Sequence, residues 1–193
     1  MSSRQVSLHG EFAQLTATLL AYRLGPRPMP RPLSRRAWCR FARQAAEGVA
    51  LGAEANKAVA RRALERVWSS PSTVPAEEVY APEFVSHQHS HPTVTDIRGI
   101  EELKSFVREF QVAFPDFVDT VERQIAEGEL VMTQFTSAGT QQGELMGIPP
   151  TGERVEWMGI ELARVVGGKI AENWVSWDMY GMLQQLGAIP PRS

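Results

Sequence analysis

Asp178 is the acidic residue whose sequence surroundings most clearly suggest chemistry. It ends the run GKIAENWVSWD, in which every second position from Ile170 holds, in order, Ile170, Glu172, Trp174, Ser176 and Asp178. An extended strand turns such positions to one face. An unpaired carboxylate is costly in a packed core, whereas a ligand cavity is typically apolar with a few polar groups. The alternation therefore predicts a cavity wall with Trp174 beside Asp178, and with Trp177 on the other side of the sheet.

A carboxylate in such a cavity can act as a general base and then as a general acid. It can remove a proton next to a carbonyl and later protonate the alkoxide that an aldol closure forms, because desolvation raises its pKa toward neutral pH. A structural interpretation stands beside this one. Aspartate is a favoured N-cap residue, and Asp178 directly precedes a predicted helix at residues 179–186.

Glu161 and Glu172 are the other acids on the late predicted strands. Glu161 shares its alternation with Trp157, and Glu172 shares its alternation with Asp178, so a paired-carboxylate site is conceivable. The second interpretation is that such a glutamate forms a structural ion pair with Arg154 or Arg164 on the neighbouring run.

The segment HQHSH places His87, His89 and His91 at alternate positions. Three imidazoles on one face could bind zinc or iron. Alternation alone does not make three rings converge, and a metal site also needs a further ligand or an open water position. We therefore predict no metal site, and we interpret His89 and His91 as surface residues at a strand end.

The large apolar residues should mostly form the core, with a subset touching a ligand. The predicted ligand contacts are Phe114, Met146, Trp157, Trp174 and Met182. Neither Ser137 nor Cys39 has a base at a recognisable spacing, which argues against a serine or cysteine nucleophile. The glycines lack a phosphate-binding arrangement, so no nucleotide site is expected.

Composition divides the chain near residue 53. Residues 1–46 carry eight Arg and one acid, whereas residues 47–193 carry twelve Lys and Arg and twenty-one acids. We expect residues 1–53 to be a basic, proline-interrupted and partly disordered extension, with a transit peptide or a docking tail as alternatives. Residues 54–189 should form the domain, followed by a tail at 190–193. The acidic domain argues against nucleic-acid binding.

A single cysteine, Cys39, excludes an intrachain disulfide, and no apolar run approaches the roughly 18 to 20 residues that cross a bilayer. These features predict a cytoplasmic protein that does not bind membranes.

Element signals predict helices followed by strands. A helix is expected from Asn56 to about Trp68, a short one in PAEEVYAP and a third from Ile100 until Pro115. EFVSH is expected to be a strand, and four further extended runs follow at residues 118–126, 130–140, 155–166 and 170–178. This order indicates an α+β fold with the helices packed on one face of a curved sheet.

Several segments carry a family resemblance: FVSH, AFPD, AGTQQGELMGIPPTGERVEW, GGKIAENWVSWD and MLQQLG. Over about residues 54–189 the chain resembles the SnoaL-like polyketide cyclases of the nuclear transport factor 2-like superfamily. The resemblance implies a cone-shaped α+β barrel, also called a cystatin-like roll, in which a curved antiparallel or mixed sheet encloses a deep apolar cavity. It also implies a homo-oligomer, either a dimer or a tetramer.

The function implied by this resemblance is cofactor-free intramolecular aldol cyclisation of a polyketide-like substrate, a small hydrophobic or aromatic compound of secondary metabolism. Asp178 matches the motif position of the acid/base aspartate, and His87 is expected to assist inside the cavity. The sequence departs from the pattern because no histidine follows His91 and Gln141 stands where a histidine is frequent. The alternatives are a dehydratase, isomerase or epoxide-opening hydrolase, or a non-catalytic ligand-binding or dimerisation module.

Overall fold

The computed structural model describes residues 52–189, and the predicted extension and tail lie largely outside this range. The helices are α1 at residues 52–62, which continues as a π-helical segment at Ala63–Trp68, then α2 at Ala76–Val79, α3 at Gly99–Ala113 and α4 at Met179–Gln185. The strands are β1 at Tyr80–Gln88, β2 at Asp96–Arg98, β3 at Val118–Glu127, β4 at Leu130–Thr140, β5 at Arg154–Val166 and β6 at Lys169–Trp177. The four predicted late strands are confirmed with nearly these bounds.

Helix α3 follows directly from its sequence. Its buried residues are Leu103, Phe106, Val107, Phe110 and Ala113, which recur every three or four positions and form one apolar stripe. The helix ends at Ala113, two residues before Pro115, whose ring cannot continue the backbone hydrogen bonding. The stripe packs α3 onto the sheet and places its aromatic side chains over the sheet's inner face.

The six strands form one sheet in the order β2-β1-β6-β5-β4-β3. Strands β1 and β6 are parallel, and the other neighbours are antiparallel. The α+β class with a curved mixed sheet is therefore confirmed. Because β2 and β3 lie at opposite edges and are not paired with each other, the closed barrel that the resemblance implied is not seen.

A β-bulge changes which residues of β6 face the core. Val165 pairs with Ile170, but the next pair is Arg164 with Glu172, so Ala171 is an extra residue. One extra residue reverses the faces of everything after it. The side chains of Asn173, Val175 and Trp177 consequently line the inner face, which carries the helices, and Glu172, Trp174 and Ser176 alternate onto the outer face.

The predicted assignment of the two tryptophans is therefore wrong. Trp177 contacts the core, with its ring centroid 6.1 Å from those of both Phe110 and Trp157. Trp174 lies on the outer face, where it stacks on His87. A strict period of two, counted from Ile170, placed them the other way round because it did not include the bulge.

Within residues 52–189, no helix combines the length and the apolar character that crossing a membrane requires.

Candidate functional site

A cavity lies between the inner face of the sheet and helices α1 and α3. Its wall is largely aromatic and includes Trp68, Phe106, Phe110, Phe135, Trp157 and Trp177. Its volume, about 50 Å³, accommodates a few water molecules. A larger ligand therefore requires some of these side chains to move apart.

Polar side chains enter this cavity from five strands. They are Gln88 of β1, Asp119 of β3, Ser137 of β4, Glu161 of β5 and Asn173 of β6. All five are buried, with at most 4% of each residue exposed. Because buried polar groups are rare in an apolar core unless they are paired or functional, their concentration here indicates a site.

Asp119 is one of two carboxyl groups in the cavity. Its Oδ1 accepts a hydrogen bond from Ser137 Oγ at 2.5 Å. Burial raises the pKa of the Asp119 carboxyl to about 7; the Ser137 hydrogen bond lowers this pKa, and the nearby charge of Glu161 also raises it. Asp119 can thus hold or release a proton near neutral pH.

Glu161 is the second carboxyl group, and it is 2% exposed. Its Oε1 accepts a hydrogen bond from Asn173 Nδ2 at 2.5 Å, whereas its Oε2 is buried without a partner among the described residues. Burial raises the pKa of Glu161 to about 7, and the Asn173 hydrogen bond opposes that rise. An unpartnered buried oxygen in a cavity is available to a ligand or a proton.

The predicted ion pair of a late-strand glutamate with an arginine forms at Glu172 and not at Glu161. Arg154 reaches Asp116 at 3.2 Å, and Arg164 reaches Glu172 at 3.1 Å. The alternation of β5 turns both arginines away from the inner face, so neither of them pairs with Glu161. The predicted pairing of Glu161 with Glu172 is wrong for the same reason, because Glu172 lies on the outer face.

Asp178 lies outside the cavity lining and is exposed. It is the N-cap of α4, and its Oδ1 accepts a hydrogen bond from the Gly181 backbone N–H at 2.8 Å. A Cβ at position 181 would overlap the Asp178 carboxylate, so glycine permits this close cap. Asp178 therefore caps the helix, as the structural interpretation of the sequence predicted. The acid/base role of Asp178 stays a prediction.

His87 lies on the outer face of the sheet and not in the cavity. Its Nδ1 is 2.9 Å from Asp96 Oδ1, and its Nε2 is 3.2 Å from Glu172 Oε1. Its ring stacks on Trp174 with the centroids 5.5 Å apart. The Asp96 hydrogen bond is the main cause that raises the pKa of His87, and that of Glu172 adds to it. The structure thus brings His87 and Trp174 together on the outer face, outside the cavity lining.

The residues predicted to contact a ligand lie at different places in the structure, some in the cavity wall and others in the hydrophobic core. Trp157 lines the cavity. Phe114 and Met182 are fully buried in the core, and neither belongs to the lining. Met146 is partly buried in a turn, where its φ is 51°. Of the five residues, Trp157 alone lies at the described cavity surface.

The histidine side chains of the HQHSH segment do not converge on a common position where they could bind a metal ion. His91 Nδ1 accepts the backbone N–H of Val94 at 2.9 Å, and its ring meets the edge of Phe106. In the part of the chain that the structure describes, no group of three or more His, Cys, Asp or Glu side chains is arranged to hold a metal ion.

Fold and site together define a class: an α+β protein whose open curved sheet forms an aromatic cavity with buried carboxyl groups. A sequence profile of the SnoaL-like polyketide cyclases matches residues 58–186. The chain belongs to this family.

The relatives agree with that assignment. Aklanonic acid methyl ester cyclase DauD of Streptomyces sp. (strain C5) is 31% identical over 110 residues, which are 54% of this chain and 68% of DauD. The structure of IdmH from Streptomyces antibioticus, a protein assigned as a polyketide cyclase, is 32% identical with a TM-score of 0.60, covering 68% of this chain and 98% of IdmH. A SnoaL-like protein of Jannaschia sp. CCS1 matches in fold at 24% identity, with a TM-score of 0.64 over 72% of this chain and 95% of that protein.

Proposed function

We propose that the protein is an acid/base enzyme that closes a ring in a polyketide-like carbonyl compound by intramolecular aldol condensation, with Asp119 and Glu161 as its working carboxyl groups. One observation carries this proposal: two fully buried carboxyl groups line one aromatic cavity, and burial raises the pKa of each to about 7. A role in secondary metabolism and a cytoplasmic location stay predictions from the sequence.

Two neighbouring carboxyl groups with pKa values near neutral can hold one proton between them, so that one is a base while the other is an acid. The carboxylate removes a proton from the carbon next to a carbonyl. The resulting enolate carbon forms a bond to a second carbonyl carbon of the same molecule, and the alkoxide takes the proton of the carboxylic acid. The substrate is thereby isomerised with no atom or electron gained or lost.

The aromatic wall suits a planar, partly aromatic substrate. Indole and phenyl rings such as those of Trp157 and Phe135 offer flat faces for offset stacking, and they keep the dielectric constant around the carboxyl groups low. A low dielectric constant strengthens the interaction of a carboxyl group with the charge that develops on the enolate and the alkoxide.

The experiment is a turnover assay that starts with aklanonic acid methyl ester, the compound named for the relatives. Glu161→Gln and Asp119→Asn should each lower kcat by about 100-fold or more, the usual contribution of a general acid or base. Glu156→Gln is the matched control, since Glu156 lies on the same strand but is exposed on the outer face. Unchanged kcat in both cavity variants would reject the proposal.

Asp178 with His87 is the alternative acid/base pair, and its support is the motif position of Asp178. Asp178→Asn in the same assay decides between the pairs. Dehydratase, isomerase and epoxide-opening chemistry would use the same cavity, and product analysis distinguishes them from cyclisation. A non-catalytic ligand-binding module predicts that ligand affinity survives both cavity substitutions with no turnover by the parent protein.

We also propose that the chain forms a homo-oligomer through the outer face of the sheet. Exposed apolar side chains cluster there on neighbouring strands, among them Ile125, Met132, Met158 and Ile160. Contiguous apolar patches of this kind often mark interfaces. Ile160→Lys should lower the mass measured by light scattering, whereas Val112→Lys, at an exposed apolar position of α3, should not. An Ile160→Lys variant with the parent mass would contradict this interface.

A further inference from the structure

Glu161 and Asn173 contain two buried oxygen atoms that lack hydrogen-bond partners. Among the described residues, only three buried side-chain polar atoms lack a partner, and two of them are Glu161 Oε2 and Asn173 Oδ1. Both side chains line the cavity, and they are already joined by the bond from Asn173 Nδ2 to Glu161 Oε1. The two unpartnered atoms are the remaining oxygens of two groups that contact each other.

A carboxyl group and a carboxamide have matching shapes. When the amide N–H donates to one carboxyl oxygen, the other carboxyl oxygen and the amide oxygen form the natural second pair. If Glu161 is ionised, Glu161 Oε2 and Asn173 Oδ1 are both acceptors, and each buried acceptor without a donor lowers the free energy of unfolding by about 1–3 kcal/mol. A single proton on Glu161 Oε2 would satisfy both atoms at once.

We propose that Glu161 is protonated in the resting protein and that Asn173 holds its proton, in a ring of two hydrogen bonds: Nδ2–H to Oε1 and Oε2–H to Oδ1. The surrounding charges favour this arrangement. The nearest arginines along β5 are paired with Asp116 and Glu172, so neither compensates a negative charge on Glu161. The raised pKa of Glu161 agrees with a neutral carboxyl group.

This arrangement assigns the two roles that the proposed function left open, and it rests on that function. Asp119 accepts the Ser137 hydroxyl hydrogen as Glu161 accepts the Asn173 N–H, and each bond favours the ionised form. Glu161 differs because its second oxygen and Asn173 Oδ1 are both left without a partner, and a proton on Glu161 satisfies them. Asp119 is therefore the base that takes the proton from carbon, and Glu161 is the acid that gives its Oε2 proton to the alkoxide. Transfer of a proton from Asp119 back to Glu161 restores the starting state. Asn173 is a positioning residue that holds the acid in its neutral form.

Infrared difference spectroscopy of the whole protein between pH 5.5 and pH 9 tests the inference. The parent protein should show a carboxylic acid C=O band that disappears as pH rises and is missing in Glu161→Gln. Asn173→Leu should shift this band to higher frequency, because the acid loses its hydrogen-bonded partner. Asn56→Leu is the matched control: Asn56 donates to the Gly128 carbonyl oxygen outside the cavity, and its replacement should leave the band in place.

The main competitor is an ionised Glu161 whose Oε2 and Asn173 Oδ1 share a bound water. In that case no acid band assigned to Glu161 appears at pH 5.5, and the inference is wrong. A band that Asn173→Leu leaves at the same frequency would also overturn it, since the proton would lie elsewhere. If Asn173→Leu does not fold, Asn173→Ser removes the same amide oxygen with a smaller polar side chain. Because the band is measured without substrate, loss of the proposed function would show only in the turnover assay.

Discussion

Asp119 on β3 and Glu161 on β5 line the same cavity although β4 separates their strands, and the charge of Glu161 raises the pKa of Asp119. The repulsion between their charges is mutual, so it raises the pKa of whichever group loses its proton second, which is Glu161 in the inferred arrangement. Asp119→Asn should therefore move the Glu161 titration to lower pH, which carboxyl-selective NMR can follow. A Glu161 midpoint that does not move in this variant would show that the two groups are independent.

The buried pair should make the protein less stable as pH rises. Each pKa is raised in the folded state, from 3.8 for Asp119 and 4.5 for Glu161 to about 7, so the folded protein binds more protons than the unfolded chain between those values. The stability that protonation contributes is complete below about pH 4 and is lost as pH rises through about 7. The loss is at most about 4–5 kcal/mol for Asp119 and about 3–4 kcal/mol for Glu161, at about 1.4 kcal/mol per pKa unit.

Urea unfolding at pH 5 and pH 8 measures this effect. The parent protein should have the lower free energy of unfolding at pH 8, and Glu161→Gln or Asp119→Asn should reduce the difference between the two pH values. Equal pH dependence in the parent and in both variants would mean that these carboxyl groups titrate normally.

Gly159 on β5 should control the space next to Phe135. A Cβ at position 159 would overlap the tip of the Phe135 ring, which belongs to the cavity wall. Gly159→Ala should therefore displace the ring and destabilise the protein by about 1–3 kcal/mol, as overpacking usually does. Gly52→Ala is the control, because nothing lies within 4 Å of a Cβ there. Equal thermal unfolding temperatures for both variants would contradict this packing.

Asp178 should matter for stability as a helix cap. Asp178→Ala removes the acceptor for the Gly181 N–H and should cost about 1 kcal/mol, whereas Asp178→Asn keeps a capping oxygen and should cost much less. Denaturant unfolding of the two variants measures the difference. If both lose equal stability, the cap contributes little and the carboxylate charge itself is important.

His87 on the outer face should titrate above its ordinary value of 6.5, because hydrogen bonds to Asp96 and Glu172 favour its charged form. Its contribution to stability is present below pH 6.5 and is lost as pH rises through the folded pKa. A histidine NMR titration checks the direction: Glu172→Gln should lower the His87 midpoint. A midpoint at or below 6.5 in the parent protein would contradict the contacts described for this ring.

Much of the fold could be predicted from local patterns. Strand β4 begins at Leu130 and ends at Thr140 as the alternation and the flanking turns indicated. Strand β2 is only three residues long, and the parallel pairing of β1 with β6 joins residues that are 87 to 90 positions apart, so neither leaves a local signal. Whether the two edge strands, β2 and β3, pair with each other depends on the curvature of the whole sheet, which no short sequence pattern encodes.

The site was harder to predict than the fold, and the reason is specific. The bulge at Ala171 reverses the faces of β6, which moved Asn173 and Trp177 inward and Trp174 outward. Asp119 was missed although it alternates in phase with Val121, which is also buried. This alternation of buried positions could be predicted from the sequence. The N-cap role of Asp178 could also be predicted from the sequence, whereas its motif position favoured a catalytic role.

The most direct test of the central claim is a site-resolved titration of the Asp119 and Glu161 carboxyl carbons by carbon-13 NMR, with Glu161→Gln and Asp119→Asn used to assign the signals. The account predicts midpoints near 7 for both groups. The inferred roles further require that Asp119 loses its proton before Glu161 does. Midpoints near 4 for both would leave two ordinary carboxylates at neutral pH, and the cavity would then contain no acid to complete the reaction.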